Sequence, residues 1–71
     1  MPMEWTLVFK TALYTEAAIV KGKLEEHQIP TQVLNKQDSM YMLTLPGLHE
    51  VYVPHHLQEL AKNVIDESLR N

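Results

Sequence analysis

Cysteine is missing from the 71 residues of this sequence, so the chain can form neither a disulfide nor a zinc site built on thiolates. It also lacks any apolar run that approaches the roughly 20 residues of a membrane-spanning helix. The first ten residues, MPMEWTLVFK, have no basic segment followed by an apolar stretch, so we expect no signal peptide. We therefore expect a cytoplasmic protein with no membrane partner.

Basic residues are few as well. Six Lys and Arg stand against nine Asp and Glu, and the formal net charge is -3. The lysines are scattered along the chain with acidic residues between several of them, whereas a nucleic-acid-binding face needs clustered positive charge. We therefore expect no nucleic-acid partner.

Hydrophobic residues make up 45% of the chain, which is enough for a folded core and too many for a disordered segment. The length predicts a single domain, 1–71, near the lower size limit for folding without help. In a domain this small, apolar burial barely exceeds the loss of chain entropy. Association with a second copy can therefore add to its stability.

Residue spacing predicts three strands and two amphipathic helices. The strands are expected at 4–10, 31–36 and 48–53, and the helices at 13–28 and 54–69. Residues 40–45 could add a short strand.

Local signals suggest where the helices begin and end. Thr15 is the expected N-cap of the first helix, with Glu16 beside the positive end of the helix dipole. Pro30 ends that helix, and Pro54 suits the first position of the second. Gly22 in mid-helix costs about 1 kcal/mol relative to alanine. It indicates either the close approach of another chain or a tolerated surface glycine.

The order β-α-β-β-α predicts an α+β fold. A strand, a helix and a second strand form a right-handed parallel crossover, and the third strand can lie antiparallel between the two. This arrangement is a ferredoxin-like half-sandwich, with two helices on one face of a three-stranded mixed sheet. One set of apolar residues is expected to form the core: Leu7 or Val8, Val20, Leu24, Val51, Val53, Leu57, Leu60 and Val64.

Three segments resemble a known family: EAAIVKGKLEE at 16–26, IPTQVLNKQDS at 29–39 and VYVP at 51–54. Over most of its length the chain resembles the small bacterial family described as prokaryotic signal-transducing proteins, which is related in fold to the PII nitrogen-signalling proteins. Family members commonly have glycine where this chain has Gln28, and acidic residues where it has His55 and His56. The resemblance implies a regulatory or signal-transducing binding module. It does not extend to nucleotide binding, because the chain has no room for the long loop and basic phosphate-binding residues of PII proteins.

The segment LHEVYVPHHLQEL holds three histidines, His49, His55 and His56, which raises the question of a metal site. Zinc needs three or four ligands that converge on one point. His49 and His55 lie at opposite ends of a predicted strand. At the usual rise per residue, the distance between them is more than about 10 Å. We expect no metal there. A small metal- or ligand-handling protein that uses this region is the alternative function.

Catalytic signatures are missing too. The sequence has no nucleophile elbow, phosphate-binding loop or His–Glu metal motif. One layer of helices on a small sheet also encloses little volume for a pocket. We therefore expect neither an enzyme nor a bound cofactor.

The loop NKQDSMY at 35–41 is the densest polar segment of the chain. Its Asn, Asp and Ser residues are typical of a turn that bonds its own backbone. Alternatively, Lys36, Asp38 and Tyr41 present mixed charge to a protein partner.

Trp5, Leu7 and Phe9 alternate along one side of the first strand. Their apolar character favours burial under the helices. Family members, however, often have a polar residue at the position of Leu7, which would turn all three outward beside Tyr52. In that arrangement they form an interface for a protein partner or a second copy, through the open sheet face or the free edge of the first strand.

Overall fold

The structure, a computed structural model, describes residues 4–36 and 48–70. Their elements follow the order β-α-β-β-α, with a short 3₁₀ turn before the last helix. The bounds are β1 Trp5–Thr11, α1 Tyr14–Glu26, β2 Gln32–Lys36, β3 Leu48–Pro54, the 3₁₀ turn His55–Leu57 and α2 Gln58–Leu69. The strand suggested at 40–45 lies outside the described residues. No helix in the described part of the chain is long and apolar enough to span a membrane.

The three strands form one sheet in the order β1-β3-β2. β3 pairs antiparallel with each of its two neighbours. β1 and β2 therefore run in the same direction but are separated by β3. Because every ladder is antiparallel, the sheet is not the mixed sheet that the sequence predicts.

Both helices pack on one face of the sheet, where buried side chains of α1, β3 and α2 form a single core cluster. Val51 and Val53 of β3 are fully buried in it. Alternation along a strand then places Tyr52 on the opposite face. The buried members of the cluster are Val20, Leu24, Ile29, Val51, Val53, Ala61, Val64 and Ile65.

The predicted buried side of α2 is confirmed at Val64, which is 6% exposed, and is wrong at Leu60. Ala61 is fully buried and Ile65 nearly so, whereas Leu60 is 47% exposed. The helix buries residues 61, 64 and 65, and the centre of that stripe lies about 90° of arc from Leu60. Pro54 is the last residue of β3 and not the first of the helix, because a 3₁₀ turn intervenes.

Thr11, the last residue of β1, organises the start of α1. Its Oγ1 accepts a hydrogen bond from the Leu13 N–H at 3.0 Å and donates one to Glu16 Oε1 at 2.6 Å. The N-cap position is occupied by Leu13, and the helix begins at Tyr14. The prediction of Thr15 as N-cap is therefore wrong.

α1 ends in a Schellman motif centred on Gln28, whose φ is 61°. The Ile29 N–H donates to the Leu24 carbonyl at 3.0 Å, and the Gln28 N–H donates to the Glu25 carbonyl at 2.9 Å. A left-handed conformation is unfavourable for a residue with a Cβ. Burial of Ile29 against Leu24 in the core offsets that strain.

β1 contains a β-bulge at Val8. Leu7 pairs with Tyr52, whereas Phe9 pairs with the fully buried Val51, so the register shifts by one residue between them. Val8 and Phe9 both pack against the core as a result. The outward orientation is right for Trp5 and Leu7 and wrong for Phe9, which faces the helices.

Candidate functional site

The sheet face that points away from the helices, which we call the open face, carries several large apolar side chains. Cross-strand partners share a face, and Leu7 lies opposite Tyr52 while Leu34 lies opposite Glu50 on β3. Trp5 and Leu48 lie on the same open face, because Trp5 is two residues from Leu7 along β1 and Leu48 is two residues from Glu50 along β3. The apolar members of this face are Trp5, Leu7, Leu34 and Leu48, each 37–43% exposed, together with the half-buried Tyr52.

A polar pair lies within the open face. The Tyr52 hydroxyl donates a hydrogen bond to Glu50 Oε1 at 2.8 Å. This hydrogen bond raises the pKa of Tyr52 above its ordinary value, with smaller contributions from desolvation and from the negative charge of Glu50. The pair therefore holds the phenol in its neutral, donating form.

The predicted interaction residues are only partly brought together. Trp5 and Tyr52 lie on the open face, but the bulge places Phe9 on the helix side of the sheet. Lys36 is the last residue of β2. Two further loop residues, Asp38 and Tyr41, lie outside the described residues.

Two apolar members of the open face, Leu34 and Leu48, were not predicted. Leu48 could have been identified, because it alternates with Glu50 and Tyr52 along β3. Leu34 could not, because its face depends on how β2 pairs with β3. Register between strands is a tertiary property that one segment does not reveal.

The three histidines lie in different surroundings. His49 is half-buried on the helix side of the sheet, and its ring contacts that of Tyr14 edge-to-face, with 5.7 Å between centroids. His55 is exposed, with its Nδ1 3.0 Å from Thr6 Oγ1, and His56 is exposed beside it. Within residues 4–36 and 48–70, no three His, Asp or Glu side chains are grouped so that they could hold a metal ion.

The Thr6–His55 contact has the separation of a nucleophile–base pair, but its surroundings are structural. The backbone N–H of His55 also donates to the Glu4 carbonyl at 2.7 Å, so the pair joins the start of β1 to the residue after β3. A catalytic hydroxyl needs a base that a third group orients. We find no hydrogen bond from the His55 ring to such a group among the described residues.

A cleft of about 350 Å³ lies between α1 and the helix side of β2, and we call it the α1–β2 cleft. Val33 pairs with Val51 and Asn35 pairs with His49, so the sheet residues of the cleft face the helices and not the open face. α1 contributes Tyr14, Ala17, Ala18 and Lys21, and the sheet contributes Val33, Asn35 and His49.

Comparisons with protein-family models, curated proteins and solved structures find no match to this chain. Two surfaces of the described residues are candidates for its function. One is the apolar open face, and the other is the α1–β2 cleft on the opposite side of the sheet.

Proposed function

We propose that this protein is a small non-catalytic binding module whose docking surface is the open face. One observation carries the proposal: Trp5, Leu7, Leu34 and Leu48, each 37–43% exposed, lie on the same sheet face as Tyr52. Exposed apolar side chains interspersed with polar groups are typical of a protein interface, and aromatic residues are enriched in interface cores. Trp5 and Tyr52 supply those aromatic groups.

The partner that we propose is a second copy of this chain. A domain of 71 residues has little core to spare, so apolar area buried between two copies adds a large fraction to its stability. A two-fold contact through the open face makes one apolar patch cover the other. Another protein with an apolar surface would dock on the same residues.

The open face is a better docking surface than the edge of β1. The bulge at Val8 interrupts the regular spacing of that strand. Bulges twist an edge away from a partner strand, and proteins use them to prevent edge-to-edge pairing. We therefore assign association to side chains of the open face and not to an added strand.

A regulatory or signal-transducing role in the cytoplasm completes the proposal. The resemblance to the prokaryotic signal-transducing protein family supports it, as does an α+β arrangement that fits a ferredoxin-like half-sandwich lacking a fourth strand. The structural setting of the Thr6–His55 pair supports a function without catalysis.

The decisive experiment compares Leu34→Lys with Ile19→Lys by sedimentation velocity at micromolar concentration. Both residues are exposed and apolar, but Ile19 lies on α1, away from the sheet. The lysine at position 34 would lie directly opposite Glu50, so a carboxylate of the same subunit faces the new charge.

We expect wild type and Ile19→Lys to sediment as dimers and Leu34→Lys as a folded monomer. Trp5 is the only tryptophan of the chain, so its fluorescence should shift to longer wavelength when the dimer dissociates. A wild-type monomer at high concentration that captures no protein partner through the open face would refute the proposal.

A further inference from the structure

We propose that the α1–β2 cleft binds a small organic anion with a flat apolar body, of the class of aromatic carboxylates. Its volume of about 350 Å³ is at the low end of the range for small-molecule sites, roughly 300–1,000 Å³. That size suits a ligand of one or two rings. The cleft lies across the sheet from the open face, so this proposal does not rest on the proposed function.

The walls of the cleft favour a flat apolar body. Among the residues that line the cleft, Ala17 is buried and Val33 is half-buried. Ala18 also lines it and contributes only a methyl group. The rings of Tyr14 and His49 meet edge-to-face at an interplanar angle of 65°. Two rings held in this way offer a third ring the offset or edge contacts that aromatic groups prefer.

The charge of the cleft favours an anion. No described residue that lines it is acidic, although the chain has nine Asp and Glu and a formal net charge of -3. Its lining residues include Lys21, Asn35 and Tyr14, whose side chains carry an ammonium, an amide and a hydroxyl. Each of these groups can donate a hydrogen bond, and a carboxylate only accepts them.

Lys21 is the residue that we assign to the carboxylate of the ligand. Its Nζ is 2.9 Å from Glu25 Oε2, and the two side chains are 42% and 49% exposed. An exposed ion pair of this kind contributes little to stability and rearranges easily. An ammonium has three donors, so Lys21 can bind a carboxylate in the cleft and keep its bond to Glu25.

The test uses naphthoate as the probe and its neutral amide, naphthamide, as the matched control ligand. Titration of isotopically labelled protein, followed by NMR, reports which backbone amides each ligand perturbs. We expect naphthoate to shift the signals of Val33, Asn35 and His49 saturably, and naphthamide to bind the same residues more weakly.

Two variants separate the roles of charge and space. Lys21→Met should weaken naphthoate binding about tenfold, because a charge-assisted hydrogen bond is lost, and leave naphthamide binding unchanged. Lys62→Met, which removes an exposed lysine of α2, should change neither. Ala18→Phe should weaken both ligands by filling the cleft. Its exposed position keeps the fold intact, which circular dichroism will check.

Three results would overturn the proposal. The first is that naphthoate causes no saturable shifts, and the second is that its shifts map to the open face around Tyr52. The third is that Lys21→Met weakens naphthoate and naphthamide equally, because the lysine would then act through packing and not through charge.

Discussion

Leu7 and Phe9 lie on opposite faces of the sheet although one residue separates them in β1. Leu7 pairs with the outward-facing Tyr52, and Phe9 pairs with the buried Val51. In a regular strand, residues two apart share a face. The bulge at Val8 breaks that rule and divides the apolar residues of β1 between the core and the open face.

This division predicts opposite effects of charge at the two positions. Phe9→Glu places a carboxylate against the core and should lower the free energy of unfolding by more than about 3 kcal/mol. Leu7→Lys places its charge in solvent and should lower it by less than about 1 kcal/mol. Urea denaturation, at a protein concentration low enough to keep the protein monomeric, measures the free energy of unfolding of both variants. Equal losses would mean that the two residues share a face.

The two leucines that the sequence places on the buried sides of the helices, Leu24 and Leu60, should also differ in how much their truncation destabilises the protein. Leu24 is fully buried, so Leu24→Ala should cost roughly 2–5 kcal/mol, enough to unfold most of the molecules of so small a domain. Leu60→Ala should lower stability by no more than about 1 kcal/mol, because Leu60 is 47% exposed and lies outside the core cluster. Thermal unfolding followed by circular dichroism separates these outcomes. A large loss in Leu60→Ala would place the buried side of α2 elsewhere.

The protein should be more stable with glycine than with glutamine at position 28. Its φ of 61° strains a residue with a Cβ and leaves glycine unstrained. We expect Gln28→Gly to raise the free energy of unfolding by about 0.5–1 kcal/mol. Gln28→Ala keeps the Cβ and is the matched control, for which we expect no gain. If alanine stabilised as much as glycine, the backbone strain would not be the cause.

Gly22 is predicted to be a tolerated surface glycine. A Cβ added there would meet no atom within 4 Å, and the residue is exposed in α1. Gly22→Ala should therefore raise stability by about 0.5–1 kcal/mol, the difference in helix propensity. The oligomeric state should not change. Loss of association in Gly22→Ala would instead place another chain against this side of α1.

The hydrogen bond between Tyr52 and Glu50 predicts a dependence of stability on alkaline pH. In the unfolded chain Tyr52 titrates near a pKa of about 10, and in the folded protein its pKa is higher. The stabilisation that comes from the Tyr52–Glu50 hydrogen bond is therefore complete below a pH of about 10. It is lost as the pH rises through the pKa of Tyr52 in the folded protein.

The absorbance of the phenolate measures this titration, and the difference between wild type and Tyr52→Phe isolates one tyrosine of three. Glu50→Gln should bring the midpoint back toward about 10, since the carboxylate that raises the pKa is gone. A midpoint that does not move would contradict the role of Glu50.

Much of the architecture could be predicted from local patterns. The order of the elements follows from residue spacing, and the alternation in β3 correctly turns Val51 and Val53 inward and Tyr52 outward. The resemblance also implied a left-handed residue at Gln28, because members of that family commonly have glycine at this position. These features depend on neighbours in sequence.

The features that were missed depend on contacts between elements. The bulge at Val8 arises from how β1 pairs with β3, and nothing in WTLVFKT marks it. Pro54 is compatible with a strand end and with a helix start, so the 3₁₀ turn could not be foreseen. The α1–β2 cleft depends on where α1 rests on the sheet, which no single segment determines.

The central position of β3 has a consequence for synthesis of the protein. β1 and β2 each pair with β3 and are not neighbours of each other. A nascent chain that ends at Lys36 therefore contains two strands with no ladder between them, and its core lacks Val51 and Val53. Because non-local pairing must wait for the central strand, the chain folds late on the ribosome, after β3 and α2 have both emerged.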